Sequence, residues 1–283
     1  VSKISEESNF QNKDVLTLEE ASQLFQVSTK TFLKMLREEE IPARKVGREW
    51  RFSKAALLNW ISNGNSMHYA TVEEQHKAYF DQMAPVYDEL RKNCYGEALS
   101  EILINRFPLP RNAIVADLGT GTGYLAKKLS VSAAKVLAID LSAVMLKVAE
   151  AEFMQAKINN IELHESDAHD LPFTDEHLDL TFANLLLHHL SEPALAIREW
   201  FRVLRPGGQV VICDVLQHHY GWLQSEKFDF WLGFDTSQVR IWLTNAGFIE
   251  VESTPLNCSC RTSSKTGIVV TLPLFLASGK KPI

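Results

Sequence analysis

The densest chemistry in the sequence lies in Val115-Ala116-Asp117-Leu118-Gly119-Thr120-Gly121-Thr122-Gly123. A short apolar run ends in three glycines at alternate positions. That is the pattern of a strand turning into a helix, with backbone that a ligand can approach where a side chain would clash. The spacing is GxGxG, not the GxGxxG of dinucleotide sites, and an acid, Asp117, stands two residues before the first glycine. A pyrophosphate has no use for a negative charge there, whereas a cationic or amino-acid-bearing ligand does. Asp140 closes the next apolar run, 17 residues beyond Gly123. A carboxylate at such a strand end can accept from both hydroxyls of a ribose; taken alone, it equally suits the cap of a following helix.

Other groups could handle protons or metals. His188 and His189 follow an apolar run and are candidates for a general base; a capping or packing pair leading into Ser191-Glu192-Pro193 is the alternative. His218, His219 and Tyr220 follow the next run and are expected on the same side. The aromatic stretch HHYGWLQSEKFDFWLGF reads as a cover or a partner surface, with ordinary core packing as the simpler reading. Cys258 and Cys260 could offer two thiolates to a soft ion. Their spacing is tighter than C-x₂-C and no histidine follows, so the cysteines are read as structural and no metal site is assigned.

Ordered elements must position these groups. Apolar runs at 113–118, 136–140, 161–165, 178–183 and 209–215 alternate with helical patterns at 123–129, 143–156 and 193–204. Buried strands alternating with helices imply an α/β fold with a parallel sheet covered on both faces. A helical preface runs from Thr71 to about 106.

Ahead of it lies a different pattern. Thr17 and Glu20 form a capping box opening a helix that buries Leu18, Ala21, Leu24 and Phe25. Ser28 caps a second helix, and Val46-Gly47-Arg48-Glu49 marks a tight hairpin. Ser53 then caps a third helix, and Asn63-Gly64-Asn65-Ser66 breaks the chain. The expected organisation is a flexible tail at 1–14, a small domain at 15–62, a linker at 63–70 and a large domain at 71–283.

Composition fits this division. At 283 residues, 46% hydrophobic and 23% charged, the chain has the make-up of a globular protein with room for two domains. The net charge of −6 argues against general coating of nucleic acid but leaves room for a local basic patch. No apolar run approaches the roughly 20 residues of a membrane span, and VSKISEESNFQNKD lacks a signal-peptide core. Four scattered cysteines do not make a secreted disulfide scaffold, so a cytoplasmic protein is expected.

The large domain resembles the class I S-adenosylmethionine-dependent methyltransferases, in the branch that includes the ubiquinone/menaquinone and arsenite methyltransferases. DLGTGTGYLA, AIDLSAVMLKVAEA, ESDAHDLPF, LDLTFANLLLHHL and EWFRVLRPGGQVVICD carry the likeness, in order, between about Gln75 and Asp214. The cysteines do not follow the arsenite pattern. The resemblance implies a Rossmann-like fold and S-adenosyl-L-methionine as cofactor, with a small-molecule acceptor. It implies that Gly119, Gly121 and Gly123 approach the methionine portion, that Asp117 binds its ammonium directly or through water, and that Asp140 binds the ribose. Leu141 and Met145 would pack near the adenine, Asp167 would accept from its exocyclic amine, and the Ala168 amide would meet a ring nitrogen. Asn184 would line the methionine side, and Tyr79 and Tyr87 would form an aromatic lid, packing being their other use.

The small domain resembles the excisionase-like, MerR-related winged helix-turn-helix, most clearly in VSTKTFLKMLRE and IPARKVGREWRF. The resemblance implies DNA binding, with Lys30, Thr31 and Lys34 facing bases or phosphates and Arg44, Lys45, Arg48 and Arg51 along the wing. A small module for protein contacts is the alternative. Regulators of this kind pair over two half-sites, so a homodimer is expected. The whole reads as a methyltransferase coupled to a DNA-binding module, or as a transcription regulator whose methyltransferase-like domain senses S-adenosylmethionine or a metabolite.

Overall fold

The computed structural model describes residues 13–38, 41–47, 49–62, 72–94 and 97–283. The chain divides into two compact units, Val1–Ala70 and Thr71–Ile283. Nearly all of the expected tail and all of the expected linker lie outside the described residues.

In the first unit, the Glu20 amide donates to the Thr17 hydroxyl (3.3 Å) and the Thr17 amide to Glu20 Oε2 (2.9 Å). This reciprocal cap starts α1 (Leu18–Leu24). The Thr31 amide donates to Ser28 Oγ (3.0 Å) at the start of α2 (Thr29–Glu38). Strands β2 (Arg44–Val46) and β3 (Glu49–Ser53) form an antiparallel hairpin, with Gly47 at φ +65° in its turn. Strand β1 (Val15–Leu16) pairs with the other edge of β3, and α3 (Lys54–Ser62) closes the unit. Leu16, Ala21, Phe32, Ile41, Phe52 and Leu57 are buried, and Phe32 meets Phe25 and Phe52 edge-on, at 5.3 Å each. Three large rings anchor this small core.

The second unit opens with α4 (Val72–Met83), a 3-10 turn (Ala84–Val86), α5 (Tyr87–Cys94) and α6 (Ala98–Arg106). Then come β4 (Ile114–Leu118), α7 (Tyr124–Leu129), β5 (Lys135–Asp140), α8 (Ala143–Gln155), β6 (Ile161–Glu165) and β7 (Leu178–Asn184). The unit ends with α9 (Pro193–Val203), β8 (Leu204–Val215), α10 (Trp222–Lys227), α11 (Thr236–Ala246), β9 (Ile249–Ser263) and β10 (Val269–Lys280). The seven strands lie in the order β6-β5-β4-β7-β8-β10-β9, parallel from β6 to β8 and antiparallel at β10 and β9. Alternate residues of each buried strand face opposite layers. Val115, Val136 and Phe182 pack with Leu103 of α6, Leu125 of α7 and Phe153 of α8. Ala116, Leu137 and Ile139 pack with Trp200 of α9 and Leu243 of α11. The fold is therefore α/β with a Rossmann-like, mostly parallel sheet.

Two strands escaped the sequence reading. β9 is an edge strand with many exposed residues, and Pro255 and Pro273 interrupt β9 and β10. Proline within a run argues against a strand unless it sits at an edge or bulge, and the register shifts between Pro273 and Phe275. Cys94 at the end of α5 is disulfide-bonded to Cys260 of β9, while Cys213 is buried and Cys258 half-buried.

The chain runs from β4 outward to β6 and then returns to β7 on the other side of β4. The strand order therefore reverses beside the glycine loop, where open α/β sheets bind ligands at their C-terminal edge. Gly123 has φ +81°, and a Cβ there would lie 2.3 Å from Phe153 Cζ and 3.0 Å from Ala149 Cβ, both on α8. Gly267, in the β9–β10 turn, has φ +85° with nothing within 4 Å of such a Cβ. Gly123→Ala is expected to destabilise by about 2–4 kcal/mol, combining left-handed strain with overpacking. Gly267→Ala carries the strain alone, about 1–2 kcal/mol. Urea unfolding of the two variants checks the difference; equal losses would mean that α7 and α8 do not meet at Gly123.

Candidate active site

Three glycines in left-handed conformations, at φ +66°, +55° and +81°, carry the chain from β4 into α7. Two carboxylates hold this loop. Asp117 lies beneath it, where Oδ2 accepts from the Thr120 hydroxyl (2.7 Å) and the Ala126 amide (2.9 Å). Asp140 stands beside it: Oδ2 accepts from the Gly121 amide (2.8 Å) and Oδ1 from the Ser142 amide (2.9 Å). Burial pushes the Asp117 carboxyl up to about 7, against the two hydrogen bonds that favour its charge. Burial also raises Asp140.

One cavity opens over the loop. Gly119, Gly121, Asp140, Leu141, Met145, Asp167 and Ala168 all line it. Leu141 and Met145 form an apolar wall beside the Asp140 carboxylate. The Asp167 carboxylate accepts from the His169 amide (2.8 Å) and lies 2.7 Å from His169 Nδ1, which lowers its pKa. The Ala168 carbonyl accepts from the Trp200 indole (3.0 Å), fixing that peptide against α9.

A second, aromatic cavity of about 410 Å³ adjoins the first, with Phe80, Tyr87, Leu185 and His189 lining both. Tyr79, His188, Lys227, Asp229 and Arg261 are among its polar lining residues. Tyr87 also reaches over the loop, since a Cβ on Gly121 would lie 3.3 Å from its ring. Burial raises both Tyr79 and Tyr87 to about 12, so their hydroxyls stay protonated.

His188 and His189 occupy different settings. His188 Nδ1 lies 2.7 Å from Oδ1 of Asp214, a fully buried carboxylate at the end of β8. Burial alone would lower its pKa, but the Asp214 charge and hydrogen bond carry it up to about 9. His189 Nδ1 lies 3.6 Å from Asp229 Oδ1, and burial together with the neighbouring histidines holds its pKa well below the usual value. Burial raises Asp229 to about 6. The pair therefore combines a protonated donor with a neutral ring.

Other expected residues stand off the two cavities. Asp117 is only 2% exposed and lines neither cavity; its carboxylate is spent on the loop backbone and the Thr120 hydroxyl. Gly123 faces α8, for the packing reason given above. Asn184 ends β7 one residue before Leu185, but does not itself line either cavity. His218, His219 and Tyr220 line neither; the His218 amide instead pairs with the Leu232 carbonyl (2.9 Å). Asp214, Asp229, Lys227 and Phe80 were missed. Only Asp214 carried a sequence signal, an acid ending an apolar run as Asp140 does.

In the first unit, Lys30, Thr31 and Lys34 lie exposed on α2, and Arg44 and Lys45 are exposed on β2. The Lys45 ammonium sits 5.2 Å from the centroid of the Trp50 ring. Arg51 is tied to Glu49 (2.5 Å) and to the Trp50 carbonyl (2.9 Å), so its charge is matched locally. Arg48 lies outside the described residues.

Comparison with known proteins matches both units. A family model described as a methyltransferase domain matches residues 116–212, and one described as a helix-turn-helix domain matches residues 15–65. A demethylmenaquinone methyltransferase of Clavibacter sepedonicus is 33% identical over 143 residues, covering 50% of this chain and 58% of that protein. A malonyl-[acyl-carrier protein] O-methyltransferase of Marinomonas sp. is 32% identical over 161 residues, covering 56% and 57%. The chain thus spans a little over half the length of these relatives. Among solved structures, a SAM-dependent methyltransferase from Aquifex aeolicus has a TM-score of 0.53 at 21% identity, over 71% of this chain and 97% of that one. The [4+2]-cyclase SpnF has a TM-score of 0.60 at 19% identity, over 75% and 97%. At such identities the structural likeness concerns the fold alone. The chain joins a helix-turn-helix domain to a methyltransferase domain with a Rossmann-like fold.

Proposed function

We propose that this protein is an S-adenosyl-L-methionine-dependent methyltransferase acting on a small molecule, coupled to a DNA-binding module. The observation that carries the reading is the loop cavity. It sets the Asp140 carboxylate, the Leu141–Met145 wall, Asp167 and Ala168 around backbone opened by Gly119 and Gly121. These residues fit the cofactor's parts: a carboxylate for ribose hydroxyls, an apolar wall for a purine, and an acceptor in Asp167 for its amine. Ala168 would offer its amide to a ring nitrogen, and the glycines would leave room for the methionine portion, with Asn184 beside it at the end of β7. When bound, the cofactor supplies a methyl group on a sulfonium for displacement by a nucleophile.

The chain's own contribution is position and exclusion of water. Tyr87, which lines both cavities, and Tyr79, which lines the aromatic one, would close over the reacting groups. The aromatic cavity would hold the acceptor, and His188 and His189 stand where its reacting atom would meet them, with Asp214 fixing the His188 ring.

The helix-turn-helix supports DNA binding, through Lys30, Thr31 and Lys34 on α2 and Arg44 and Lys45 on the wing, by two copies on two half-sites. Among the described residues no helix is long and apolar enough to cross a membrane. The helix-turn-helix also favours a second reading, a regulator that senses S-adenosylmethionine or a metabolite without turnover. A shared fold leaves this open, because function lies in the site. Methyl transfer to any candidate metabolite separates the two.

Calorimetry with S-adenosylmethionine tests the cofactor. Asp140→Ala is expected to weaken binding by about 1.5–3 kcal/mol, roughly 10- to 150-fold, through loss of hydrogen bonds to a charged group. Wild-type affinity in that variant would remove Asp140 from the ribose site. On duplex DNA, log K should fall linearly with log salt, and Arg44→Ala or Lys45→Ala should each reduce the slope by about 0.9. Arg51→Ala should reduce it less, because Glu49 already matches that charge. A flat salt dependence would sink the DNA reading.

A further inference from the structure

The aromatic cavity contains a set of groups that a methyl acceptor pocket does not require. One ligand atom each from His188, His189 and Asp229 lie within 4.8 Å of one another, and all three residues line the cavity. We infer that His188, His189 and Asp229 form a binding site for a divalent transition-metal cation, open on the acceptor side.

Four features support this site. First, a cation bonding nitrogen and oxygen at about 2.0–2.2 Å needs its ligand atoms roughly 3–3.5 Å apart. His189 Nδ1 and Asp229 Oδ1 already stand at 3.6 Å, so small side-chain rotations complete the set. Second, His189 Nδ1 is buried with no hydrogen-bond partner, which is costly for a ring nitrogen unless something binds it. Third, His188 Nδ1 is engaged by Asp214 Oδ1 at 2.7 Å, leaving Nε2 for a metal. Asp214 is fully buried and its Oδ1 also accepts from the Val215 amide (2.7 Å), so the ring is firmly oriented. A carboxylate behind a ligating histidine is the usual outer support of a metal site.

The fourth feature is rigidity. The Phe230 and Trp231 amides donate to the His188 carbonyl (3.0 and 3.2 Å), and the Trp231 indole donates to the Leu190 carbonyl (2.9 Å). The backbone that carries Asp229 is thereby pinned to the backbone that carries the histidines. Binding a cation would displace the proton from His188 Nε2 while Nδ1 keeps its bond to Asp214.

Two imidazoles and one carboxylate suit a borderline cation such as Zn²⁺, Fe²⁺, Co²⁺ or Ni²⁺ better than Mg²⁺ or Ca²⁺. Three protein ligands leave coordination positions facing the cavity, as in sites that bind a substrate. The ligand completing them would be an oxygen of the acceptor, a hydroxyl, enolate or carboxylate. Lys227 and Arg261, which also line the cavity, favour an anionic molecule. Assigning that position to the acceptor rests on the function proposed above; binding of the cation does not.

The test uses the full chain, stripped with a chelator and titrated with Zn²⁺ by calorimetry and with Co²⁺ by visible absorption. One equivalent is expected to bind with nitrogen–oxygen ligand-field bands and no thiolate charge-transfer band. Asp229→Asn and His189→Ala, both checked by thermal melts, should abolish saturable binding at micromolar metal. Asp214→Asn should weaken it by about 10- to 100-fold. No one-to-one binding in the wild type, a thiolate band, or unchanged affinity in both ligand variants would overturn the site. S-adenosylmethionine calorimetry on the same wild-type sample separates the two ideas. Cofactor binding without metal binding removes the cation alone, and metal binding without cofactor binding removes the methyltransferase reading alone.

Discussion

Two carboxylates hold the loop between β4 and α7, over which the loop cavity opens. The loop adopts three left-handed residues in five positions, so the usual helical and sheet hydrogen bonds cannot serve its backbone. Asp140 takes the Gly121 amide, Asp117 takes the Ala126 amide, and the Ile139 carbonyl takes the Thr120 amide (2.8 Å). Burying Asp117 is unfavourable, as its raised pKa records, and only the hydrogen bonds it receives make the position tolerable. The acid two residues before the glycines thus serves the loop first and any ligand second.

Much of this was legible in sequence, for physical reasons that also mark the limits. β4, β5 and β7 are buried on both faces, so their composition is almost continuously apolar and stands out. The residues around the loop cavity follow strand ends at short separations, so a linear motif could place Asp140, Met145 and Asp167 together. The His188–Asp214 and His189–Asp229 pairs join positions 26 and 40 residues apart, across β8 and an irregular segment. No periodicity links such positions; only the return of the chain to one edge of the sheet does. β9 and β10 were hidden for another reason, because an edge hairpin with prolines and a polar face lacks the signal of a buried strand.

That hairpin shapes the aromatic cavity. Cys260, Arg261, Val269 and Leu272 wall the aromatic cavity together with Tyr87, Arg91 and Cys94 of α5, where Cys94 is bonded to Cys260. The loop cavity is built from the parallel half of the sheet, where the motifs lie. The aromatic cavity is finished by the antiparallel edge, which lies outside the residues matched as a methyltransferase domain. The two cavities thus draw on different halves of the sheet, the loop cavity on its parallel strands and the aromatic cavity on its antiparallel edge as well. A cyclase of the same fold illustrates how far such a scaffold can be turned.

The charge of the chain follows the same division. The −6 total conceals a first unit whose described wing and second helix expose Lys30, Lys34, Arg44 and Lys45, with Arg51 neutralised by Glu49. In the second unit the decisive charges are few and buried: Asp117, Asp214 and Asp229 are each under a tenth exposed. Each needs a specific partner, because a carboxylate cannot be left alone at such positions. Asp117 has the loop, Asp214 has His188, and Asp229 has a 3.6 Å approach to His189 with the His188 and Lys227 charges nearby. The least satisfied of the three faces the aromatic cavity. Whatever enters that cavity must answer the Asp229 carboxylate, whether it brings a proton, a cation or a donor group of its own.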